Sequence, residues 1–221
     1  MEDRKEGAGL SGDLPSCRMI LITGGNGCVG TGLARKLLER SFRVRILGLS
    51  PLESDADLRD AGVESLYGDV TRFQDLESAM RGVDTVYHLA AILSSPEKPA
   101  RYHAVNVGGT RNALEAAEQN GVRRFIFVSS VSVTYPRRNT YSASKAEAEE
   151  WVRRSALPWT IARPCLVSDA LEYKVFEHAV LRWPVVLLPR RGAARKRPVT
   201  SEVLAAVLAD IVEDHDTVGK S

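Results

Sequence analysis

Short apolar runs alternate with longer amphipathic stretches along most of the chain. The run at 19–22 is continuously apolar, which is typical of a strand buried on both faces of a parallel sheet. Val29, Leu33 and Leu37 then recur every fourth residue between polar positions, so a helix is predicted directly after this strand. The same reasoning predicts five further strands, at 44–49, 63–67, 85–89, 125–128 and 159–162.

Three more helices are predicted from the pattern. Two of them, at 107–117 and 141–152, lie on either side of the fifth strand, and the last begins after a cap at Thr200 or Ser201 and ends near Glu213. Strands that alternate with helices imply right-handed crossovers and a parallel sheet covered on both faces. The sequence therefore predicts a three-layer α/β/α Rossmann fold with a doubly wound parallel sheet, whose ligand lies at the carboxyl ends of the strands. The apolar stripe of the last helix contains Val203, Leu204, Val207, Leu208 and Ile211.

The chain of 221 residues suits one main domain. Residues 1–18 mix charges with Gly, Ser and Pro and contain no apolar core of signal-peptide length, so they are predicted to form a flexible lead. The folded domain is predicted over 19–221, with a partial substrate region from about residue 165.

Composition narrows the choice of partners and compartment. Lys and Arg number 30 against 28 Asp and Glu, so the net charge of +2 favours neither nucleic acid nor a membrane surface as a partner. No apolar run is long enough to span a bilayer. The three cysteines, Cys17, Cys28 and Cys165, are odd in number and far apart, which predicts no metal site and a reducing, cytoplasmic location.

A glycine-rich turn follows the first predicted strand. Residues 23–30 read Thr-Gly-Gly-Asn-Gly-Cys-Val-Gly and open the first helix, so unpaired backbone N–H groups and the positive helix end face whatever lies above them. The missing side chains let a pyrophosphate approach, and the turn therefore predicts a dinucleotide site. The turn fits two glycine patterns of dinucleotide-binding proteins, one that begins at Gly24 and one that begins at Gly25. It therefore does not by itself identify the subfamily of dinucleotide-binding protein. The alternative is a tight turn without a ligand.

A Tyr-x-x-x-Lys motif occupies the helix after the fifth strand. Tyr141 and Lys145 share one helical face, where the ammonium is expected to lower the phenol's pKa from its usual value of about 10. A phenolate formed in this way can take a proton from a substrate hydroxyl as hydride leaves the carbon. Ser129 and Ser130, directly after the fifth strand, are candidates for a third donor beside the carbonyl oxygen. The alternative is a surface pair on an ordinary polar helix.

Together these motifs resemble the short-chain dehydrogenase/reductases, in particular the extended type of NAD-dependent epimerases and dehydratases. The resemblance runs from about Met19 to the end of the chain. It is carried by the segments 23–30, 68–70, 88–91, 105–110, 129–130, 141–145 and 163–164.

The resemblance implies roles for individual residues. Ser130 would polarise the carbonyl, Tyr141 would be the acid/base and Lys145 its partner. Asp69 and Val70 would contact the adenine, and Asn106 would lie near the nicotinamide. The other implied cofactor-binding residues are Gly24, Asn26, Gly27, Cys28, Val29, Gly30, Leu89, Ala90, Ala91, Tyr141, Lys145 and Pro164. Similar proteins often form homodimers through the helices that correspond to 107–117 and 141–152.

The chain departs from the family pattern in three places. Relatives that use NAD usually carry an acid at the end of the second strand, whereas this chain has Gly48 and Leu49. The cofactor is therefore NAD or NADP, with a slight preference for NAD because no base is well placed for a 2′-phosphate. Only eleven positions separate Ser130 from Tyr141, so a loop beside the substrate is trimmed. The carboxy-terminal substrate lobe of the family is expected to be truncated or reduced here.

The leading prediction is an NAD(P)-dependent oxidoreductase, epimerase or dehydratase that transfers hydride at a secondary alcohol or ketone of a small molecule, with a nucleotide sugar as one candidate. A second enzymatic prediction is an alcohol or sterol-like dehydrogenase of the 3-beta-hydroxysteroid type. The competing class is a non-catalytic dinucleotide-binding module that senses redox state or supports an assembly.

Overall fold

Six parallel strands form the sheet in a computed structural model that describes residues 18–50, 56–93, 99–169 and 198–221. The strand order is β3-β2-β1-β4-β5-β6, so successive strands are added on one side of β1 and then on the other, and a crevice lies at the carboxyl ends of β1 and β4. The predicted doubly wound α/β fold is confirmed. The strands are β1 (Met19–Thr23), β2 (Arg43–Gly48), β3 (Glu64–Tyr67), β4 (Thr85–His88), β5 (Arg124–Val128) and β6 (Trp159–Ala162).

Helices cover both faces of this sheet. The helices predicted at 107–117, at 141–152 and after a cap at Thr200 or Ser201 are present, and the Thr200 side chain caps the last one by accepting a hydrogen bond from the Val203 N–H. The three short helices at 56–60, 73–79 and 99–102 were not predicted. The helices are α1 (Cys28–Glu39), α2 (Ala56–Asp60), α3 (Phe73–Ala79), α4 (Pro99–Tyr102), a π-helical turn (His103–Gly108), α5 (Gly109–Gln119), α6 (Thr140–Arg154) and α7 (Ser201–Ile211).

The core lies in two layers, one on each side of the sheet. Along β1, Leu21 packs towards α3, α5 and α6, whereas Ile20 and Ile22 pack towards α1 and α7. A strand with both faces buried must be apolar at every position, which explains the continuous apolar run. The stripe predicted for α7 is wrong in part, because Val203 and Val207 are about half exposed, while Leu204, Ala205, Leu208 and Ala209 are buried against the sheet.

Two predicted segments, the flexible lead and most of the partial substrate region, lie outside the residues that the structure describes. These are residues 1–17 of the predicted lead and residues 170–197 of the predicted substrate region. The residues on either side of 170–197 contact each other. Val167 and Val199 form a parallel bridge, and the Asp169 carboxylate accepts hydrogen bonds from the backbone and side chain of Ser201. None of the helices in the described ranges is long and apolar enough to cross a membrane.

Candidate active site

The glycine turn joins β1 to α1 at the switch point of the sheet. Gly24 has a φ of +70°, and a Cβ there would lie 2.9 Å from the backbone of Ala90. A Cβ on Gly30 would lie 2.7 Å from the Gly24 carbonyl oxygen. Side chains are therefore excluded at both positions, and the Gly24 N–H donates to the Leu47 carbonyl at 2.8 Å to hold the turn against β2.

The amino end of α1 has the properties of an anion site. Gly27 is its cap residue and offers no side-chain acceptor, and no acidic residue occupies the first turn. Cys28 is exposed and Val29 is half-buried in that turn. No side chain of the first turn therefore competes with an anion for the backbone N–H groups and the positive end of the helix dipole. This glycine turn, called the glycine cradle below, fits a pyrophosphate.

The segment after β4 forms one wall of the crevice. The Leu89 N–H donates to the Thr23 carbonyl at 3.1 Å, which brings Leu89, Ala90 and Ala91 alongside the glycine turn. Asn106, in the π-helical turn, is fully buried and fixes this segment, because its Oδ1 accepts from the Ile92 N–H at 2.8 Å. Its Nδ2 donates to the Ser144 hydroxyl at 2.9 Å and to the Ile92 carbonyl at 3.2 Å. Asn106 thus joins the wall to α6.

Two further predicted cofactor residues follow β3. The Asp69 carboxylate accepts from the Thr71 N–H at 2.9 Å, while the Asp69 N–H donates to Asp75 Oδ2 at 2.9 Å. Val70 is buried against Gly109, where a Cβ would lie 2.6 Å from Val70 Cγ2. These contacts place both residues at the carboxyl end of β3, on the same sheet edge as the glycine turn.

Ser130 and Tyr141 are brought together despite the short segment between them. Ser130 Oγ lies 2.9 Å from Ser132 Oγ and accepts from the Ser132 N–H at 3.1 Å, and the Ser130 hydroxyl is close enough to Tyr141 to affect the pKa of its phenol. The Val131 N–H donates to the Pro164 carbonyl at 2.9 Å and so ties the loop after β5 to the loop after β6. Sequence reasoning missed Ser132, whose only signal was its place two residues after Ser130.

The other candidate donor, Ser129, takes a different position. Its side chain is buried beside Glu149 on α6, although its hydroxyl completes no hydrogen bond of normal geometry among the described residues. Asn139 caps α6 by accepting from the Ser142 N–H at 2.9 Å, so Tyr141 lies in the first turn of that helix. Ser130 therefore lies near the Tyr141 phenol, whereas Ser129 lies beside Glu149.

The predicted lowering of the pKa of Tyr141 is wrong. Burial raises the pKa of Tyr141 to about 12, and the nearby Ser130 hydroxyl only partly opposes this effect. The Lys145 ammonium, expected to lower that pKa, instead lies 3.9 Å from the centroid of the Phe127 ring. Spacing on a helix gives the shared face of two residues but not the depth to which each is buried.

Lys145 is a buried cation with one charged neighbour on its own helix. It is 1% exposed, and burial lowers its pKa to about 7, while Glu149 one turn further on acts in the opposite direction. Arg163 donates to both Glu149 oxygens, and Arg153 donates to Glu149 Oε2 at 2.6 Å. These guanidinium groups outweigh the effect of burial and lower the pKa of Glu149. Sequence reasoning did not identify the Glu149–Arg163 pair, whose signal was the i, i+4 spacing from Lys145.

His88, at the end of β4, contacts the same Phe127 ring as Lys145. It is fully buried, its Nδ1 is 2.7 Å from Thr23 Oγ1, and its ring stacks on Phe127. Burial, together with the Lys145 charge, lowers the pKa of His88 to about 3. His88 is therefore neutral at physiological pH and takes no part in proton transfer as a cation.

Comparisons with known proteins identify the family of this chain. The sequence model described as NAD(P)H-binding matches residues 24–215. A 3 beta-hydroxysteroid dehydrogenase/Delta 5-->4-isomerase of Mycobacterium tuberculosis is 39% identical over 127 residues, which are 54% of this chain and only 34% of that enzyme. The chain thus matches about a third of the length of this curated relative.

Solved structures share the fold over a longer stretch. A short-chain dehydrogenase/reductase superfamily protein of Agrobacterium tumefaciens with bound NAD has a TM-score of 0.76 at 25% identity, covering 92% of this chain and 76% of that one. A Bacillus halodurans protein assigned as an NAD-dependent epimerase/dehydratase has a TM-score of 0.71 at 25% identity, covering 92% and 91%. The resemblance predicted from the motifs is confirmed.

Proposed function

The chain belongs to the NAD(P)H-binding family, and from this membership we propose that it is an extended short-chain dehydrogenase/reductase that transfers hydride at a secondary alcohol or ketone. The observation that supports this most strongly is the proximity of Ser130 to the Tyr141 phenol at the carboxyl edge of the sheet. When bound, the nicotinamide supplies or takes up the hydride. The glycine turn, Asp69 and Val70, and Leu89 to Ala91 hold the cofactor, with NAD preferred.

The protein's own residues handle the proton. With a pKa of about 12, the Tyr141 hydroxyl is protonated at neutral pH and donates a proton to a carbonyl oxygen, which favours the direction of reduction. Ser130 donates a second hydrogen bond to the same oxygen and stabilises the charge that develops there. In the direction of oxidation, Tyr141 must lose its proton before it can accept the proton of the substrate hydroxyl.

The substrate we propose first is a nucleotide sugar, in keeping with the epimerase/dehydratase type. The second candidate is a 3-beta-hydroxysteroid or its ketone. The 39% identity to the mycobacterial enzyme favours it, although only over 54% of the chain. Both candidates present a secondary alcohol or ketone to the same three residues.

A substrate screen with Tyr141→Phe tests the function. Both substrate classes are incubated with NAD, NADH, NADP or NADPH, and products are identified by mass spectrometry. Removal of the acid/base hydroxyl should lower the rate by about 10²–10⁴-fold and leave cofactor affinity unchanged. Tyr135→Phe is the matched control, because Tyr135 is exposed in the loop before α6. A chain that binds cofactor but turns over nothing with either class would instead be a non-catalytic module.

We also propose a homodimer through α5 and α6. These helices lie side by side and leave a groove of about 420 Å³, whose lining includes Arg111, Glu115 and Trp151. The Arg111 guanidinium lies 4.3 Å from the centroid of the Trp151 ring and offers a polar and aromatic surface to a second copy. Trp151→Glu should convert a dimer to a monomer in light scattering.

The free thiols of Cys28 and Cys165 support a reducing compartment such as the cytoplasm.

A further inference from the structure

The end of β2 lies directly beside the glycine turn. The Gly24 N–H donates to the Leu47 carbonyl, and the Gly68 N–H donates to the Gly48 carbonyl at 3.0 Å, so Gly48 is held between the turn and β3. In dinucleotide-binding sheets an acid near this point accepts hydrogen bonds from the ribose hydroxyls of NAD. This chain has no side chain at residue 48, and Leu49, which follows, is 63% exposed.

The Asn26 side chain fills the space that an acid at residue 48 would need. A Cβ on Gly48 would lie 2.7 Å from Asn26 Cγ and still closer to Asn26 Oδ1. Contacts this short do not occur between real atoms, so a larger residue at 48 and Asn26 in its present position exclude each other. The absence of the acid and the placement of Asn26 are therefore a coupled pair of features.

The orientation of the Asn26 amide follows from its partners. Nδ2 donates a short hydrogen bond to the Ser50 carbonyl and lies 3.4 Å from Ser50 Oγ. A carbonyl oxygen only accepts, so the amide nitrogen must face Ser50 and the amide oxygen must face Gly48. Oδ1 is buried and has no donor among the described residues. A buried acceptor without a donor is unfavourable, and this one lies where the ribose-binding acid is missing.

We propose that Asn26 replaces that acid as the residue that recognises the adenosine ribose, with its Oδ1 accepting a hydrogen bond from a ribose hydroxyl. This proposal rests on the proposed cofactor binding. A hydroxyl supplies the donor that Oδ1 lacks, whereas a 2′-phosphate brings acceptor oxygens towards an acceptor. The Asn26 amide is uncharged, so it disfavours a 2′-phosphate less strongly than a carboxylate at this place would. The chain should therefore prefer NAD over NADP by a modest factor.

Calorimetric titration with NAD and NADP tests this role without any need for a substrate. In Asn26→Ala the affinity for NAD should fall about tenfold and the affinity for NADP should change less, so that the ratio of the two approaches one. Ser50→Ala is the matched control, because the Ser50 backbone carbonyl that orients Asn26 remains. An equal loss for both cofactors in Asn26→Ala would overturn the proposal, as would a wild-type chain that binds NADP more tightly than NAD.

The coupling between the two positions gives a second test. Gly48→Asp should weaken NAD binding in the presence of Asn26, because the Asn26 side chain must leave its present position to make room. In the double variant with Asn26→Gly it should restore NAD binding and increase the preference over NADP. Equal effects of Gly48→Asp in both backgrounds would contradict the coupling. Failure of the folded wild-type chain to bind either cofactor would count instead against the proposed function.

Discussion

The Arg163 guanidinium holds the Glu149 carboxylate at two points, with Nε 2.9 Å from Oε1 and Nη2 2.6 Å from Oε2. Glu149 is 2% exposed and lies one helical turn after Lys145, and Arg163 directly follows β6. This ion pair therefore fixes α6 to the carboxyl edge of the sheet, where Tyr141 and Ser130 meet. It also keeps a negative charge close to the buried Lys145 cation.

Loss of the Glu149 charge should destabilise the fold. Glu149→Gln keeps the shape of the side chain but leaves the half-buried Arg163 guanidinium without its counter-charge, and we expect a loss of about 2 kcal/mol in the free energy of unfolding. Urea denaturation at neutral pH measures this. Glu150→Gln, in an exposed pair with Arg153, should change stability by less than about 0.5 kcal/mol. Equal losses in the two variants would argue against a special role for the Glu149–Arg163 pair.

The buried Lys145 should make stability depend on alkaline pH. Its pKa is about 7 in the folded chain and about 10.4 when unfolded, so the unfolded chain binds more protons between these values. Stability contributed by this group therefore rises with pH across that window. Relative to Lys145→Met, the wild-type chain should become more stable between about pH 7 and about pH 9.5, as followed by urea denaturation. A difference that stays constant with pH would refute the lowered pKa.

His88 should make the fold sensitive to acid. Its pKa is about 3 in the folded chain against about 6.5 when unfolded, so protons are bound preferentially by the unfolded chain between these values. The stability present above about pH 6.5 is therefore lost progressively as pH falls towards 3. His88→Gln removes this titration, and its stability between about pH 7 and about pH 4.5 should decline less steeply than that of the wild type. Parallel curves for the two proteins would contradict the account.

The cradle formed by the glycine turn should not tolerate a methyl group. In Gly30→Ala the new Cβ meets the backbone of Gly24 and Gly25 at 2.7 Å, and we expect a loss of about 1–3 kcal/mol in the free energy of unfolding together with weaker cofactor binding. Gly108→Ala is the control, since its φ is −58° and the nearest atom to a Cβ is 3.8 Å away. It should be neutral or slightly stabilising. Thermal denaturation distinguishes the two variants, and a harmless Gly30→Ala would mean that the turn is looser than described.

Much of the fold could be predicted from local pattern, because a parallel sheet with both faces covered makes its central strands largely apolar. The six strands were located to within a residue at each end, but β2 stops at Gly48, where pairing with β3 ends, and not at Leu49. The exposed Val203 and Val207 show the limit of such patterns. Apolar residues occur on more than one face of this helix, so the sequence alone does not show which face is buried.

The site was less predictable where its properties depend on burial and on long-range contacts. The motif spacing predicted that Tyr141 and Lys145 share a face, but the direction of the Tyr141 pKa depends on the protein packed around it. The placement of Asn26 over Gly48 joins residues far apart in sequence, and no local pattern encodes it. Both features became visible only with side-chain positions.

The most direct test of the account is calorimetric titration of the purified, folded wild-type chain with NAD, alongside Gly30→Ala as the variant with a blocked cradle. The account predicts saturable binding of NAD by the wild type and a rise in its thermal midpoint, with both effects reduced in the variant. A well-folded wild-type chain that binds neither NAD nor NADP would contradict it.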